Sequence, residues 1–189
     1  MADVVLFPAT SIPLPVFEPR YRATGHRCAE GDRIIGIVLR RPEFDPDFVK
    51  GPDAAIFPIG CAGVITKVDA VADGGYDIVL QAVAKFRITR EETGKPYRIV
   101  RVTAIPEALC AAEGSALRTE RRKLEMLMAA SSGRIGIVRV PGGRSDEAFV
   151  NAVSQHVEID PLDRETLLEQ AGPLARARRL IDLLKETTP

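Results

Sequence analysis

Residues 76–105 read YDIVLQAVAKFRITREETGKPYRIVRVTAI, the strongest β-strand signal of the chain. Tyr76–Val83 and Lys85–Thr89 are rich in β-branched and aromatic residues, a composition typical of one long strand. The turn around Glu92–Pro96 joins this strand to Tyr97–Ile105, and we expect the two to form a hairpin. In the second strand, alternation predicts one face with Tyr97, Ile99, Arg101 and Thr103, and another with Arg98, Val100, Val102 and Ala104.

Shorter β-branched runs precede this hairpin and predict further strands. Val4–Phe7 is expected to form a brief first strand that ends at Pro8. Arg33–Leu39 (RIIGIVL) is expected to form a second strand, buried on both faces. Further strand material lies in 55–59 and 62–68, where Pro58 and Gly60 predict a bend or bulge. Many strands with several bends predict a compact, highly curved sheet or a partly open barrel.

The apolar spacing becomes helical after Pro106. Helices are predicted over Ala116–Ala130 and Ser145–Val157. An N-cap at Asp160, followed by proline at the first helical position, predicts a third helix that stops at Gly172. In the last helix, which Pro173 opens, the predicted buried stripe is Leu174, Ala177, Leu180, Ile181 and Leu184, and the residues predicted to face water are Arg176, Arg178 and Arg179.

These two patterns predict an α+β fold with two subdomains. Residues 1–110 form the β-rich subdomain, and residues 111–189 form a small bundle of short antiparallel helices. The joint near Pro106–Ser115 is the candidate boundary between them.

Composition argues against several classes of protein. The chain has 189 residues, with 26 basic and 26 acidic residues and therefore no net charge, whereas nucleic-acid binders usually have a basic excess. Aromatic residues make up 5% and tryptophan is absent, which disfavours a stacking platform for single strands. The N-terminus lacks the pattern of a signal peptide and no apolar run is long enough to span a bilayer, so a cytoplasmic protein without membrane contact is expected.

A search for chemical motifs finds neither a catalytic residue nor a cofactor or metal site. The sequence contains no G-x-S-x-G elbow, no P-loop and no G-x-G-x-x-G turn. Three cysteines (Cys28, Cys61 and Cys110) and two histidines (His26 and His156) lack ligand spacing, so reduced thiols and structural histidines are expected. We therefore expect a protein that is not an enzyme.

Two segments at the front carry a family resemblance. The first is Leu6-Phe7-Pro8 followed by Pro13-Leu14-Pro15-Val16-Phe17-Glu18-Pro19-Arg20-Tyr21, and the second is Asp32-Arg33-Ile34-Ile35-Gly36-Ile37-Val38-Leu39. With Ile59-Gly60-Cys61-Ala62-Gly63, Lys85-Phe86-Arg87-Ile88 and the leucine-rich close around Leu167 and Leu183, the ordered set resembles the Lon N-terminal domain family. The match runs in the right order along nearly the whole chain.

The resemblance implies a β-rich subdomain of the pseudouridine-synthase-like barrel type joined to a helical bundle. In full-length Lon proteases this region recognises substrate polypeptides, and ATPase and Ser–Lys protease parts follow it. We expect this chain to be a stand-alone form without those parts. It would be a non-catalytic binding or adaptor module for unfolded or peptide segments, with a protease system as a candidate partner and without ATP hydrolysis.

The candidate polypeptide-binding residues are Leu14, Phe17, Arg20, Tyr21 and Phe57. Prolines at four positions (Pro8, Pro13, Pro15 and Pro19) are expected to keep the front segment extended and outside the sheet, lying over the barrel. The alternative interpretation is that its apolar residues only anchor the segment to the core.

Peptide capture is expected in an apolar groove between barrel and bundle, with affinity on the order of micromolar. Two other functions stay open. Related barrels bind RNA, although the neutral charge disfavours it, and a small hydrolase would need a pocket that gathers His26 or His156 with a nucleophile.

Overall fold

A computed structural model describes residues 4–16, 33–41, 55–71, 75–92, 98–130 and 144–186, and the structural statements below refer to these residues. The strands are β1 Ser11–Val16, β2 Ile34–Ile37, β3 Ile59–Ala70, β4 Tyr76–Glu92 and β5 Ile99–Ala104. The helices are α1 Ala111–Ala130, α2 Asp146–His156, α3 Pro161–Glu169 and α4 Pro173–Glu186. The chain divides into a strand unit, Met1–Ile105, and a helical unit, Pro106–Pro189.

The strand unit is an antiparallel sheet organised around β4. The strand order is β1-β4-β3-β2, and β5 also pairs with β4. β1 pairs with the first half of β4, from Tyr76 to Gln81, and β5 pairs with its second half, from Phe86 to Glu92. The long strand and the hairpin predicted from residues 76–105 are present, and the α+β fold class is confirmed. Closure of the sheet into a barrel stays a prediction.

The first strand differs from the expectation. Val4–Phe7 contributes buried side chains but no strand, and β1 begins at Ser11. The proline-rich segment was expected outside the sheet, but Pro13 and Pro15 pair in register with Val79 and Asp77 of β4.

The alternation of hydrogen bonds along β1 explains why the sheet accepts these prolines. The amide of Ala82 donates to the carbonyl of Thr10 at 2.8 Å. Backbone groups along an antiparallel strand point alternately toward and away from the neighbouring strand, and this pair sets the order for β1. The backbone nitrogens of Pro13 and Pro15 therefore point away from β4, so their missing N–H groups remove no hydrogen bond between the two strands.

The second strand is also less buried than expected. Arg33–Leu39 shortens to Ile34–Ile37, and its burial alternates between exposed and half-buried positions, with Ile34 51% exposed. Burial on both faces was wrong, because Ile35 and Ile37 pack against the core on one face while Ile34 and Gly36 are exposed on the other.

Glycines permit the close packing of β2, β3 and β4. A Cβ at Gly60 would lie 2.4 Å from the carbonyl oxygen of Ile37, 2.5 Å from Cγ1 of Val38 and 2.9 Å from Cζ of Phe86. The bend or bulge expected near Gly60 appears as register shifts between Ala62 and Gly63 and between Ile65 and Lys67.

We expect Gly60→Ala to destabilise the protein by about 1–3 kcal/mol, because a backbone oxygen occupies the space that the methyl group needs. Urea unfolding measures the difference. Gly114→Ala is the matched control, since no atom lies within 4 Å of its added Cβ and α1 gains about 1 kcal/mol of helix propensity. A Gly60→Ala protein as stable as wild type would contradict the packing described here.

The helical unit follows the sequence signals at the starts of three helices, whereas α1 begins at Ala111, before the predicted start at Ala116. Ser145 caps α2 by accepting from the amide of Ala148, and Asp160 caps α3 by accepting from Leu162, with Pro161 in the first turn. α3 ends at Glu169, slightly before the expected stop, and α4 begins at Pro173 as predicted.

One basic residue of α4 contradicts the prediction. Arg176 was expected to face water with its neighbours, but its side chain is fully buried at 0% exposure. Its guanidinium donates to both carboxylate oxygens of Glu107 at 2.5 and 3.1 Å, to Oδ1 of Asn151, and to the carbonyl of Leu167 at 2.9 Å. These acceptors replace water, so the charge is tolerated inside the unit.

Candidate polypeptide-binding surface

One face of the sheet is closed by the core of the strand unit. The side chains that form this core share a face of β1, β3 and β4, together with a residue that precedes β1: Leu6, Ile12, Leu14, Val16, Cys61, Ile65, Ile78, Leu80 and Ala82. This face therefore holds the unit together and offers little surface to a ligand.

The opposite face of the sheet carries apolar side chains that stay partly open. We define the outer strip as Ile34, Val64, Ala62, Ala84, Ile88 and Val102. Strand register places them on this face, since Ile34 lies opposite Val64, Ala62 opposite Ala84, and Ile88 opposite Val102. Ile34 is 51% exposed and Val102 is 46% exposed. Phe86 lies on the same face between Ala84 and Ile88 and is 3% exposed, so the open part of this face is at its two ends.

The second half of the β4–β5 hairpin carries positive charge on the face opposite the outer strip. On the side of the hairpin opposite Val102, Arg87 lies beside Thr103, and Arg90 lies beside Arg101. Arg101 contacts Glu92 at 3.4 Å, and 71% of its side chain is exposed. We define Arg87, Arg90 and Arg101 as the arginine strip, which has one acidic neighbour in Glu92.

The five predicted binding residues differ in their burial and in whether the structure describes them. Leu14 is a core residue of β1 with 4% exposure, which agrees with the anchoring interpretation. Phe57 is half-buried, and its ring lies 4.9 Å from the guanidinium carbon of Arg41. Phe17, Arg20 and Tyr21 lie outside the described residues.

Sequence reasoning did not propose the outer strip or the arginine strip as binding residues. The alternation over residues 97–105 already separated Arg101 and Thr103 from Val100 and Val102, and β5 confirms that separation. The pattern did not indicate that the side chain of Val102 would be exposed.

The helical unit contains an open cleft of about 360 Å³ at the start of α2. Two acidic residues line it, Asp146 and Glu147; Arg121 donates to Asp146 at 2.9 Å, and Arg118 approaches Asp146 at 3.6 Å. His156 does not line the cleft. Across the described ranges, no cluster of three or more His, Cys, Asp or Glu side chains is arranged to hold a metal ion. The cleft therefore presents one acid, Asp146, that is paired with arginines.

Glu165 of α3 is a buried acid with a raised pKa that lies outside the cleft. It is 1% exposed, and neither carboxylate oxygen has a hydrogen-bond partner among the described residues. Burial raises the pKa of Glu165 to about 8, and the nearby charge of Glu169 adds to the shift. A perturbed acid marks a site when it lies in a cleft, but Glu165 does not line the cleft at α2. Its effect is on stability.

Two cysteines and the helices can be compared with the predictions of free thiols and of no membrane-spanning segment. Cys61 is a buried free thiol and Cys110 an exposed one, whereas Cys28 and His26 lie outside the described residues. Among the helices of the described chain, none is both long and apolar enough to cross a bilayer.

Comparison with known proteins gives a consistent set of relatives. The family model for the substrate-binding domain of ATP-dependent protease La (LON) matches residues 1–186. The curated relatives include Lon protease 2 of Sorangium cellulosum, 25% identical over 97% of this chain, and Lon protease of Trichlorobacter lovleyi, 27% identical over 96%. The chain covers 24% and 22% of these two proteins, about a quarter of their length.

Solved structures show the same fold. A Lon N-terminal domain protein from Xanthomonas campestris superposes with a TM-score of 0.62 at 21% identity, covering 97% of this chain and 93% of that one. The N-terminal domain of a Mycobacterium avium complex Lon protease superposes with a TM-score of 0.73 at 17% identity, covering 99% and 96%. At these identities the likeness supports the fold alone.

Proposed function

This chain belongs to the family of LON protease substrate-binding domains, and on that premise we propose that it binds extended or unfolded polypeptide segments without chemically changing them. The observation that carries the proposal is the family match over residues 1–186. The outer strip supplies a surface suited to that task, because partly exposed apolar side chains favour weak, sequence-tolerant contact with other chains.

The chemistry of the described residues supports a binding role over catalysis. In the cleft at α2, Asp146 is paired with arginines, and Glu165 is enclosed within the helical unit. In a protease system, such a module would supply recognition of the substrate while a separate protease domain supplies hydrolysis.

A titration tests the proposal directly. The full chain is added to a fluorescently labelled, reduced and carboxymethylated model protein, and anisotropy is followed. We expect a Kd on the order of micromolar, since a shallow apolar surface makes few directional contacts. The native, disulfide-intact form of the same model protein is the control and should not bind. Equal anisotropy for the two forms up to high concentration would refute the proposal.

Replacement of one outer-strip residue should weaken this binding. Ile34→Ser removes a side chain that is half exposed, and about 1 kcal/mol of apolar contact corresponds to roughly a fivefold weaker Kd. The matched control is Met126→Ser on α1, where a side chain with 64% exposure lies outside the strand unit. Equal weakening by both changes would show that the outer strip has no special part in binding.

A further inference from the structure

β5 presents one edge of its backbone away from the rest of the sheet. The amide of Ile105 donates to the carbonyl of Lys85 at 2.8 Å, which sets the phase of the β4–β5 ladder. Because backbone groups point alternately toward and away from the neighbouring strand, the N–H and C=O groups of Val100, Val102 and Ala104 point away from β4. Within the described residues, β4 is the strand that pairs with β5, so these groups are available to another strand.

The two faces beside this edge differ in chemistry. One face carries Val100, Val102 and Ala104, and opposite them on β4 lie Glu91, Ile88 and Phe86. The other face carries the arginine strip, in which Arg87 and Arg90 lie behind Arg101 and Thr103. Apart from Glu92, which contacts Arg101, the side chains paired on this second face are basic or neutral.

We propose that the β5 edge binds an extended polypeptide segment as an added strand, with acidic side chains over the arginine strip and apolar side chains beside Val102. This inference rests on the proposed function and names its substrate class, an amphipathic acidic strand. Main-chain hydrogen bonds supply affinity for many sequences, and the alternate side chains supply the preference. Charge complementarity across neighbouring strands supplies that preference here.

The same charges disfavour a second copy of this chain as the occupant. Antiparallel pairing of two β5 edges about a twofold axis places their equivalent faces side by side. The two arginine strips would then be neighbours, and like charges facing across strands are destabilising. An acidic segment removes that repulsion.

A proline substitution tests the edge without removing a bond of the existing ladder. Val102→Pro deletes an outward N–H and blocks an added strand, whereas the Val102→Thr control keeps the N–H and the β-branched shape. The probes are fluorescein-labelled ten-residue peptides: alternating Glu and Val, alternating Lys and Val, and the Glu/Val peptide N-methylated at alternate residues. Binding is measured by anisotropy with the full chain at low salt, where charge pairing is strongest.

We expect wild type and Val102→Thr to bind the Glu/Val peptide at least about tenfold more tightly than the Lys/Val and N-methylated peptides. Val102→Pro should lose about tenfold in affinity for the Glu/Val peptide. Arg87→Glu combined with Arg90→Glu leaves the backbone unaltered and should reverse the preference toward the Lys/Val peptide. This charge reversal tests the proposal even if Val102→Pro does not fold.

Three outcomes would overturn the inference. The first is equal binding of the Glu/Val and Lys/Val peptides by wild type. The second is a folded Arg87→Glu, Arg90→Glu protein that keeps the wild-type peptide preference. The third is a wild-type dimer that Val102→Pro converts to a monomer. The denatured model protein separates the two proposals. If wild type and Val102→Pro bind it equally, the edge is wrong and polypeptide binding stands, whereas if neither binds it, the proposed function itself fails.

Discussion

Replacement of Glu107 by alanine is expected to destabilise the protein by about 3–5 kcal/mol, the largest single-site effect that the structure predicts. Glu107 holds the guanidinium of Arg176 through two hydrogen bonds, at 2.5 and 3.1 Å, and Arg176 is fully buried. Without the carboxylate, Asn151 and the carbonyl of Leu167 remain as acceptors, but neither neutralises the charge. A buried cation without a counter-charge is costly.

Urea unfolding at neutral pH, followed by far-UV circular dichroism, measures this effect. Arg178→Met is the matched control, because Arg178 lies two positions along α4, is 59% exposed and approaches Glu120 only at 3.8 Å. A surface pair of this kind contributes less than about 1 kcal/mol. A Glu107→Ala protein within 1 kcal/mol of wild type would show that the buried charge is not held by Glu107.

A double-mutant cycle isolates the interaction between the two residues. Removal of both groups, in Glu107→Ala with Arg176→Met, should cost less than the sum of the two single changes. The apolar methionine leaves no charge to compensate, and replacement of a whole buried ion pair is often nearly neutral. Additive effects of the two changes would contradict coupling between Glu107 and Arg176.

Glu165→Gln is expected to stabilise the protein by about 3 kcal/mol at pH 7 and to have little effect below pH 4. The pKa of Glu165 is raised from 4.5 to about 8 in the folded protein by burial and by Glu169. At pH values between these two pKa values, the carboxyl group of Glu165 keeps its proton in the folded state and loses it in the unfolded state. The contribution of Glu165 to stability is therefore complete below pH 4.5, falls as pH rises, and levels off above pH 8. Glutamine stays neutral throughout and avoids this loss.

Unfolding free energies from pH 4 to 9 test this dependence. The difference between Glu165→Gln and wild type should grow with pH, by about 1.4 kcal/mol for each pH unit between the two pKa values. Glu158→Gln is the control, since this exposed acid lies just before α3 and its replacement should change the free energy of unfolding by less than about 0.5 kcal/mol. A constant difference for Glu165→Gln would show that the carboxyl group ionises equally in both states.

Local signals in the sequence were sufficient for much of the fold. The alternation in residues 97–105 assigned Arg101 and Val102 to opposite faces, as β5 has them. Asp160 and Pro173 marked the starts of α3 and α4 correctly. These features depend on hydrogen bonds and side-chain periods within a few residues, so the chain shows them without tertiary context.

The candidate site was less accessible to sequence reasoning. Three of the five predicted binding residues lie outside the described chain, and Leu14 is a core residue. Leucine beside prolines looks the same whether it anchors a segment or binds a ligand, because the pattern does not show which face a neighbouring strand covers. The exposure of Ile34 depends on which face of β2 meets the core, and Ile35 and Ile37 take that position.

The sequence by itself determined that this chain has a β-rich front and a helical back, where most of its helices begin, and which family it resembles. Only the tertiary structure decided that Pro13 and Pro15 sit in a strand of the sheet and that Arg176 is buried. Arginine 176 meets its carboxylate 69 positions away along the chain, and no local pattern records a contact at that separation. Burial and exposure are properties of the assembled elements, and the residues that decide them are distant in sequence.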